Sequence, residues 1–270
     1  MCGIFAYLGH KPIPISEALK ILHALETDQE QGEGNPVGGD GAGIAFLNEK
    51  DRLHLVKVGK TKGSPVDNLT LQLQKTLGNS CLILGHVRHA SPEFKATTEH
   101  KECTQPYRPT CTHTLKLAAA HNGKVQNYLQ LKKQLNSKHK FESTKFELID
   151  SEVIPHLLEE LLTKTKNPRK ATHALFEKIE GTDTQGNTVV TIHIDKNEPY
   201  LSATQKGKTR GLIVWINPDN EVLVSSREKP VRMVLDKFLA ENKYEKLITV
   251  TRLDSVNILA HFTLKHAQTS

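Results

Sequence analysis

The apolar positions in the first half of the chain form several short runs and one stretch at helical spacing. In PIPISEALKILHALE, Leu19, Leu22 and Leu25 recur every three residues behind Ser16, a candidate N-cap, so the stretch predicts an amphipathic helix. The runs before and after it have the length of strands. They are CGIFAYL, GIAFL, LHLVKV, CLILGHVRHAS and LKLAAAHNG. The first half is therefore predicted to contain five strands and one helix, with GIAFL and LHLVKV close enough to form a hairpin.

Helical patterns come first in the second half, and strands follow them. Leu129, Leu131 and Leu135 give NYLQLKKQL the spacing of a short helix, and SEVIPHLLEELLTK has a longer apolar face. That face consists of Val153, Ile154, Leu157, Leu158, Leu161 and Leu162. We predict further helices in KATHALFEKIE and PVRMVLDKFLAEN. Strands are predicted in NTVVTIHID, PYLSA, GLIVWI, EVLVSS and ITVTRLDSVNIL.

The order of these elements favours a single α+β domain over residues 1–270. Strands precede helices and helices then precede strands, unlike the strict alternation of a parallel doubly wound sheet. Layers of antiparallel sheet and helix fit this order better. No composition shift, long linker or repeat of fixed period divides the chain.

Composition and charge narrow the classes of function. With 37% hydrophobic and 24% charged residues, the sequence is typical of a globular protein. Its net charge of +6 is spread along the chain, without the basic block and interleaved aromatics of a nucleic-acid-binding surface. No apolar run reaches the roughly 20 residues of a membrane helix, and no signal-peptide pattern is present. The four cysteines form no disulfide framework, so we expect a cytoplasmic protein without nucleic-acid or membrane partners.

Cys2 is the first candidate for chemistry, because a small residue at position 2 allows removal of the initiator methionine. Cys2 would then carry a thiol and a free α-amine. An α-amine titrates near about pH 8 and a thiol near about pH 8.5, so the amine can accept the thiol proton, directly or through water. Taken alone, the position favours a small buried residue at the start of a strand.

Five short segments, in order along the chain, resemble one enzyme family. They are MCGIFAYLG at the N-terminus, GGDGAGIAFL (38–47), GHVRHAS (85–91), AHNG (120–123) and DSEVI (150–154). Together they resemble the class II glutamine amidotransferase domain, a glutaminase with an N-terminal cysteine nucleophile. The resemblance extends from residue 1 to about residue 225. It implies a four-layer αββα sandwich of two antiparallel sheets, the fold of N-terminal-nucleophile hydrolases.

The resemblance assigns the two charged groups of glutamine to Arg88 and Asp150. A guanidinium can bind the α-carboxylate with two parallel hydrogen bonds, and a carboxylate can bind the α-ammonium. Without the resemblance, Arg88 fits a structural ion pair. Asp150, followed by Ser151 and Glu152, fits the N-terminus of the next helix. The capping and binding roles of Asp150 are compatible, and both stay open at this point.

The resemblance also implies an oxyanion hole at Asn122 and Gly123. The side-chain amide of Asn122 and the backbone N–H of Gly123 would stabilise the negative oxygen of a tetrahedral intermediate. By itself, an Asn-Gly dipeptide is a common hairpin turn. His89, Ala90 and Ser91 follow the arginine and are expected beside the substrate.

Two positions depart from the family pattern. Family members commonly have an Arg-Gly pair before the Asp-x-Ala-Gly segment, whereas Val37, Gly38 and Gly39 follow a Gly-rich insertion here. The loss of that arginine leaves open how the loop from 32 to 43 closes over Cys2, and it suggests a standalone protein of this class. Ile149 replaces the Thr or Ser that is usual before the aspartate.

The sequence predicts neither a metal site nor a cofactor. Cys103, Cys111 and His113 lie in one loop, but seven residues separate the cysteines and no second pair completes a zinc site. The glycines of GGDGAG match neither common phosphate-loop pattern. His86 and His121 are expected to be structural residues at strand ends.

The expected reaction is hydrolysis of L-glutamine to glutamate and ammonia through a γ-glutamyl thioester on Cys2. We expect ammonia to pass to an acceptor on a synthase or other partner subunit, because no acceptor module is recognisable. Two alternatives stay open: hydrolysis of another γ-glutamyl or peptide-like amide, and a non-catalytic regulatory protein that kept the fold. The sequence specifies neither the acceptor nor the oligomeric state.

Overall fold

The structure is a computed structural model whose strands all pair antiparallel. It describes residues 2–30, 33–76, 78–109, 111, 116–135, 137–181, 186–196, 198–206, 211–250 and 256–261. Met1, His113 and Gly32, which entered the sequence-based expectations, lie outside these ranges.

Strands occupy both halves of the described chain, as the apolar runs predict. Those of the first half are β1 (Gly3–Pro14), β2 (Gly41–Leu47), β3 (Leu53–Gly59), β4 (Asn79–Val87) and β5 (Lys116–Asn122). Those of the second half are β6 (Asn187–Asp195), β7 (Glu198–Lys206), β8 (Leu212–Ile216), β9 (Val222–Ser225), β10 (Glu245–Val250) and β11 (Val256–His261).

Helices connect the strands at several points. The α-helices are α1 (Ile15–Thr27), α2 (Pro65–Leu73), α3 (Tyr128–Gln134), α4 (Val153–Thr165), α5 (Pro168–Lys178) and α6 (Glu228–Glu241). Short 3₁₀ turns span Pro92–Thr97, Lys101–Cys103, Ser143–Lys145 and Asp150–Glu152. No helix in the described ranges combines the length and apolar character that crossing a bilayer requires.

β1 is a central strand of the larger sheet, and it carries the N-terminus into the protein. It pairs with β4 on one side and β9 on the other. The larger sheet has the order β10-β8-β9-β1-β4-β2-β3, and the smaller has the order β11-β7-β6-β5. Residues 3–9 are all buried, which is why this strand reads as a continuous apolar run.

Successive side chains of β1 enter two different hydrophobic cores. Phe5 and Tyr7 pack with side chains of α1, α2 and α6, whereas Ile4, Ala6 and Leu8 pack with side chains of the smaller sheet. This division follows from the two-residue period of a strand, which points neighbouring side chains to opposite faces of its sheet. The two sheets therefore lie face to face.

A third core covers the outer face of the smaller sheet. α3, α4 and α5 pack there, and the six apolar residues predicted for one face of α4 are all buried in it. The layers are helix, sheet, sheet and helix. The predicted four-layer αββα sandwich of antiparallel sheets is thus confirmed.

The helix predicted in NYLQLKKQL is present as α3, where Leu131 and Leu135 are buried. Leu129 is 55% exposed, because it lies two positions from Leu131 and so on the opposite side of the helix. Three other local features differ from the sequence predictions. The helix α2 was missed, although Ser64 caps it by accepting the Asp67 N–H. Ser16 lies inside the first turn of α1, whose N-cap position is Pro14. The segment predicted as one final strand contributes to β10 and β11, which belong to different sheets.

Candidate active site

A cavity of about 370 Å³ opens at the edge of the sandwich where β1 begins and β4 and β5 end. All the predicted site residues except Asn122 line it. Its lining consists of Cys2, Asn35, Arg88, His89, Ala90, Ser91, Pro92, Phe94, Cys103, Gln105, His121, Gly123, Ile149, Asp150 and Ser151. The fold thus brings together residues that are up to 149 positions apart in the sequence.

Cys2 immediately precedes β1, so the central strand of the sheet fixes its position. Its Sγ accepts a hydrogen bond from the backbone N–H of His89 at 3.3 Å, and the His89 carbonyl oxygen lies 3.4 Å away. The two contacts with the His89 backbone therefore fix the direction of the Cys2 side chain beside the cavity.

Arg88 follows β4 directly and is 95% buried, with its guanidinium held by the 3₁₀ turn Pro92–Thr97. Its Nη1 donates to the Thr97 carbonyl at 3.1 Å, and its Nη2 donates to Thr97 Oγ1 at 2.7 Å and to the Phe94 carbonyl at 3.4 Å. These partners are neutral oxygens, so the positive charge is oriented without being neutralised by them. The structural ion pair considered from the sequence is not among these contacts.

Asp40 holds the segment that carries Arg88 to Ser91, although sequence reasoning gave it no role. Its carboxylate accepts from the Ala90 N–H at 3.1 Å, from Lys60 Nζ at 3.1 Å and from Lys95 Nζ at 2.7 Å. Burial raises the pKa of Asp40, but the hydrogen bonds from Lys95 and Lys60 outweigh it and lower the pKa to about 2. Asp40 is therefore ionised at neutral pH and positions this segment.

Asp150 is placed by a contact with another segment. Its Oδ2 accepts the Val125 N–H at 2.7 Å, and its Oδ1 accepts the Ser151 hydroxyl at 3.3 Å. Neither the 3₁₀ turn Asp150–Glu152 nor α4 has a side-chain cap hydrogen bond. The carboxylate is thus oriented towards the cavity wall, and the capping role considered from the sequence is not observed.

His121 and Gln105 form a polar floor beneath Asp150 and Gly123. His121 contacts Ser151 Oγ at 2.8 Å through Nδ1 and Asn187 Oδ1 at 2.8 Å through Nε2. Gln105 donates to the His121 carbonyl at 3.0 Å and accepts the His121 N–H at 2.6 Å. His121 is accordingly structural, as the sequence predicted, and Gln105 is a supporting residue that the sequence did not reveal.

Asn122 ends β5, and Gly123 follows it with a φ of +142°, a value that favours glycine. β5 pairs antiparallel with β6, but α3, α4 and α5 lie between the two strands in the chain, so Asn-Gly is not a tight hairpin turn here. The Asn122 Nδ2 donates to Ser226 Oγ at 2.9 Å, while its Oδ1 is buried without a hydrogen-bond partner among the described residues. Asn122 therefore lies behind Gly123, one step back from the cavity surface.

The loop between α1 and β2 reaches the cavity through Asn35. Arg227, which directly precedes α6, forms ion pairs with acidic side chains of this loop. Arg227 pairs with Glu30 and Glu33, and its Nε lies 3.7 Å from Asp28 Oδ2. The loop is thus held by an arginine from a distant segment, since position 37 carries a valine.

Two histidines near the end of β4 have lowered pKa values. His86 is fully buried in β4, and burial, followed by the positive charge of Arg88, lowers its pKa to about 3. Burial also lowers the pKa of His89, which lines the cavity. Both imidazoles are therefore mainly uncharged at neutral pH.

The four-layer αββα sandwich is the fold of the N-terminal-nucleophile hydrolases, and Cys2 lies directly before one of its central strands. A solved structure shares this fold: the Bacillus subtilis glutamine phosphoribosylpyrophosphate amidotransferase complexed with ADP and GMP. The chain is 19% identical to it with a TM-score of 0.63, and the match covers 97% of the chain and 49% of that protein. At this identity the match shows the fold alone.

Curated relatives narrow the class to a family. The chain is 30% identical over 185 residues to a glutamine–fructose-6-phosphate aminotransferase (isomerizing) of Sulfurisphaera tokodaii, covering 67% of the chain and 27% of the relative. It is 29% identical over 242 residues to the protein of the same name from Bacteroides thetaiotaomicron, covering 88% and 34%. No family model matches. The chain belongs to the class II glutamine amidotransferases, a family of enzymes, and it spans about a quarter to a third of these relatives.

Proposed function

We propose that this enzyme hydrolyses the side-chain amide of L-glutamine through a thioester on Cys2. The observation that carries the proposal is the shared cavity, which the thiol of Cys2, Arg88 and Asp150 all line. A guanidinium and a carboxylate in one small cavity fit the α-carboxylate and α-ammonium of an amino acid. The length of a glutamine side chain would then bring its amide towards Cys2.

In the first step the free α-amine of Cys2, left after removal of Met1, takes the thiol proton. The thiolate attacks the amide carbon, and a C–S bond forms as the carbonyl oxygen becomes negative. The Gly123 N–H and the Asn122 amide stabilise that oxygen. The C–N bond then breaks, and the nitrogen leaves as ammonia with the proton that the Cys2 ammonium returns.

The Asn122 amide fits this role with its oxygen and nitrogen exchanged. In that orientation the Ser226 hydroxyl donates to Oδ1, which is otherwise buried without a partner among the described residues, and Nδ2 is released to donate towards the cavity. Ser226 Oγ keeps the hydrogen bond that it accepts from the Ile4 N–H at 2.9 Å. The exchange leaves the number of satisfied amide atoms unchanged, because Oδ1 gains the Ser226 partner that Nδ2 gives up, and it supplies a donor.

In the second step water attacks the thioester carbon. The Cys2 amine accepts a proton from that water, a C–O bond forms, and the C–S bond breaks to give glutamate and the free thiol. Ammonia passes to an acceptor on a synthase or other partner, because the aligned relatives are longer proteins named for transfer from glutamine to fructose 6-phosphate. The identity of the acceptor for this chain is not implied by that name.

Labelling with a glutamine-mimicking diazoketone tests the nucleophile. We expect one adduct by intact mass and its location on Cys2 by peptide mapping. Cys103 also lines the cavity, but burial raises the pKa of its thiol, so Cys103→Ala is a matched control that should still be labelled. Cys2→Ala should not react. An adduct on Cys103, or no adduct together with no hydrolysis of glutamine, contradicts the proposal.

Assays on the same purified protein distinguish the two alternative functions from the proposed one. A hydrolase of other γ-glutamyl or peptide-like amides would release product from those compounds faster than from glutamine, since Arg88 and Asp150 would still bind an amino-acid head group. A non-catalytic protein would retain Met1 in its intact mass and hydrolyse neither substrate. We expect neither result.

A further inference from the structure

A second group of reactive side chains lies away from the Cys2 cavity, where α4 meets the segments around Cys111 and His139. Four side chains there each offer one potential metal-ligand atom, and these atoms all lie within 4.8 Å of one another. The residues are Cys111, His139, His156 and Glu159. His156 and Glu159 are three residues apart on α4, so they share one face of that helix. The proposed reaction uses none of the four.

The distances between these atoms fit a tetrahedral metal ion. Cys111 Sγ lies 3.6 Å from His156 Nδ1, His156 Nδ1 lies 3.0 Å from His139 Nδ1, and that nitrogen lies 3.4 Å from Glu159 Oε2. Zinc–ligand bonds of about 2.0–2.1 Å to nitrogen or oxygen and about 2.3 Å to sulfur give ligand separations of about 3.3–3.6 Å in a tetrahedron. Two of the three distances, 3.6 and 3.4 Å, have the required spacing. The two histidine nitrogens must separate by about 0.3 Å, and the widest pair must close by about 1 Å.

The outer nitrogens of both imidazoles face carboxylates. His139 Nε2 lies 3.3 Å from Glu160 Oε1, and His156 Nε2 lies 3.8 Å from Glu152 Oε1. A carboxylate in this position favours the tautomer with its proton on Nε2, which is the usual arrangement behind a metal-bound histidine. In that tautomer each Nδ1 atom has a lone pair available to a metal ion, whereas a proton on one Nδ1 would make the 3.0 Å contact an N–H···N hydrogen bond.

The burial and charge of these side chains also favour a bound metal ion. The side chains of Glu159, His156 and His139 are at most 5% exposed. A divalent cation bound here would balance the buried Glu159 carboxylate and the Cys111 thiolate that forms when the metal displaces the thiol proton. The backbone N–H of Lys140 donates to Cys111 Sγ at 3.3 Å, and a metal-bound sulfur can accept the same hydrogen bond. A neighbouring cavity of about 390 Å³, lined by Cys111, His139 and Glu159, provides an entry path.

We propose that Cys111, His139, His156 and Glu159 form a structural zinc site. One sulfur, two imidazole nitrogens and one carboxylate oxygen match the ligand preference of Zn²⁺, and four protein ligands leave no open position for catalysis. The ion would link Cys111 and His139 to α4, the helix that follows the turn containing Asp150. No metal site was predicted from the sequence, because the candidate ligands there were Cys103, Cys111 and His113, which lie close together along the chain. The partners of Cys111 in the proposed site come from residues 139–159.

Cobalt binding tests the site through its spectrum. Cys2→Ala should serve as the parent protein, because a free N-terminal cysteine can itself chelate metal through its amine and thiol. We expect the metal-free parent to bind one equivalent of Co²⁺ with tetrahedral d–d bands and a sulfur-to-cobalt charge-transfer band. Cys111→Ser should abolish the charge-transfer band, whereas Cys81→Ser should retain it. A parent that binds no equivalent, or a charge-transfer band that survives Cys111→Ser, overturns the proposal.

Zinc affinity and stability give an independent measurement. His156→Ala should weaken Zn²⁺ binding by more than about 100-fold, since loss of even an outer-shell partner costs 10- to 100-fold. His173→Ala, at an exposed position of α5, is the matched control and should bind as the parent does. Zn²⁺ should raise the melting temperature of the parent and the control but not that of Cys111→Ser. An equal rise in melting temperature in all three proteins would contradict the proposed zinc site. Circular dichroism is the check that each variant is folded.

Discussion

Arg88 and Asp150 place a positive and a negative side chain on the wall of one cavity, and both are almost fully buried. Each is oriented by neutral partners, Thr97 and Phe94 for the arginine and Val125 and Ser151 for the aspartate. Because these partners orient the charges without cancelling them, the charges remain effective towards a ligand. A zwitterionic amino acid would satisfy both.

Asp150→Asn should raise the KM for glutamine by about 10- to 100-fold, because a hydrogen bond to a charged group contributes about 1.5–3 kcal/mol. The asparagine oxygen can still accept the Val125 N–H, so we expect a small change in melting temperature. Steady-state glutaminase kinetics measure the effect. Glu93→Gln, which removes a half-exposed carboxylate paired with Lys124, is the control. A KM within twofold of the wild-type value would show that Asp150 does not bind the substrate.

Gly123→Ala should abolish most of the glutaminase activity and lower the melting temperature. At a φ of +142°, an added Cβ would lie 2.5 Å from both the Asn187 Oδ1 and the Gly186 carbonyl oxygen, so the backbone that carries the oxyanion-hole N–H must move. Loss of one such donor lowers kcat by about 100- to 1,000-fold. Gly63→Ala is the control, since its added Cβ meets no atom within 4 Å. Equal kcat values for the two variants would exclude this role.

At the scale of elements, two connections determine the shape of the site. The loop between α1 and β2 ends at Asp40, which holds the segment after β4, and Arg227 gathers the acidic side chains near the start of that loop. Arg227 also follows Ser226, which bonds to Asn122. The segment Ser226–Arg227 therefore contacts both the loop between α1 and β2 and the end of β5.

Arg227→Met should raise the KM for glutamine by about tenfold, equivalent to about 1.4 kcal/mol, with little change in kcat. Methionine keeps the apolar stem of the side chain but removes the charge that binds the acidic loop. Asn35, which lines the cavity, would then be held less firmly in place. Arg232→Met, which breaks exposed pairs on α6, serves as the control and should leave both parameters unchanged. A fall in kcat at constant KM would argue against a role in loop positioning.

Asp40→Asn should destabilise the protein by about 1–2 kcal/mol at neutral pH, because half-exposed lysines contribute less than buried partners. The folded pKa of about 2 lies below the unfolded value of 3.8, so the carboxylate contributes its full stability above about pH 5. That contribution falls as the pH decreases through 3.8 towards 2. The difference between wild-type and variant unfolding free energies, measured in urea from pH 7 to pH 2.5, should therefore shrink on acidification. Asp219→Asn, at an exposed carboxylate, is the control, and a difference independent of pH would contradict this account.

At the scale of the whole molecule, stability comes from three cores that the two sheets separate. The middle core lies between the sheets and contains Ile4, Leu201 and Val224, each at most 1% exposed. Trp215 is the only tryptophan and lies in the core between the larger sheet and its helices. It therefore reports on one core, whereas circular dichroism reports on every element.

Leu201→Ala should lower the free energy of unfolding by about 2–5 kcal/mol, because it leaves a cavity between the sheets. Leu129→Ala, at a 55% exposed position, should change it by less than about 0.5 kcal/mol. For a single domain, the urea transitions monitored by Trp215 fluorescence and by circular dichroism should coincide and shift together. Two separate transitions would contradict the predicted single domain over residues 1–270.

The sequence by itself determined most elements and supplied a set of candidate site residues. Apolar periodicity located nearly every strand and the buried face of α4, because burial on one or both faces imposes a pattern on neighbouring positions. The family resemblance supplied Cys2, Arg88, Gly123 and Asp150, which line one cavity. α2 was missed although its Ser-Pro start was visible, since its few apolar positions give a weak signal.

Only the tertiary structure decided which distant residues meet. Several contacts join segments whose separation in the sequence can vary freely. They link Asp40 with Lys95, Arg227 with Glu33, and Cys111 with His139, His156 and Glu159. A contact of this kind leaves no periodic pattern, because it depends on how sheets and helices stack. The role of Asp150 was likewise decided by its contact with Val125, since a carboxylate before a helix has the same sequence signature whether it caps that helix or faces a cavity.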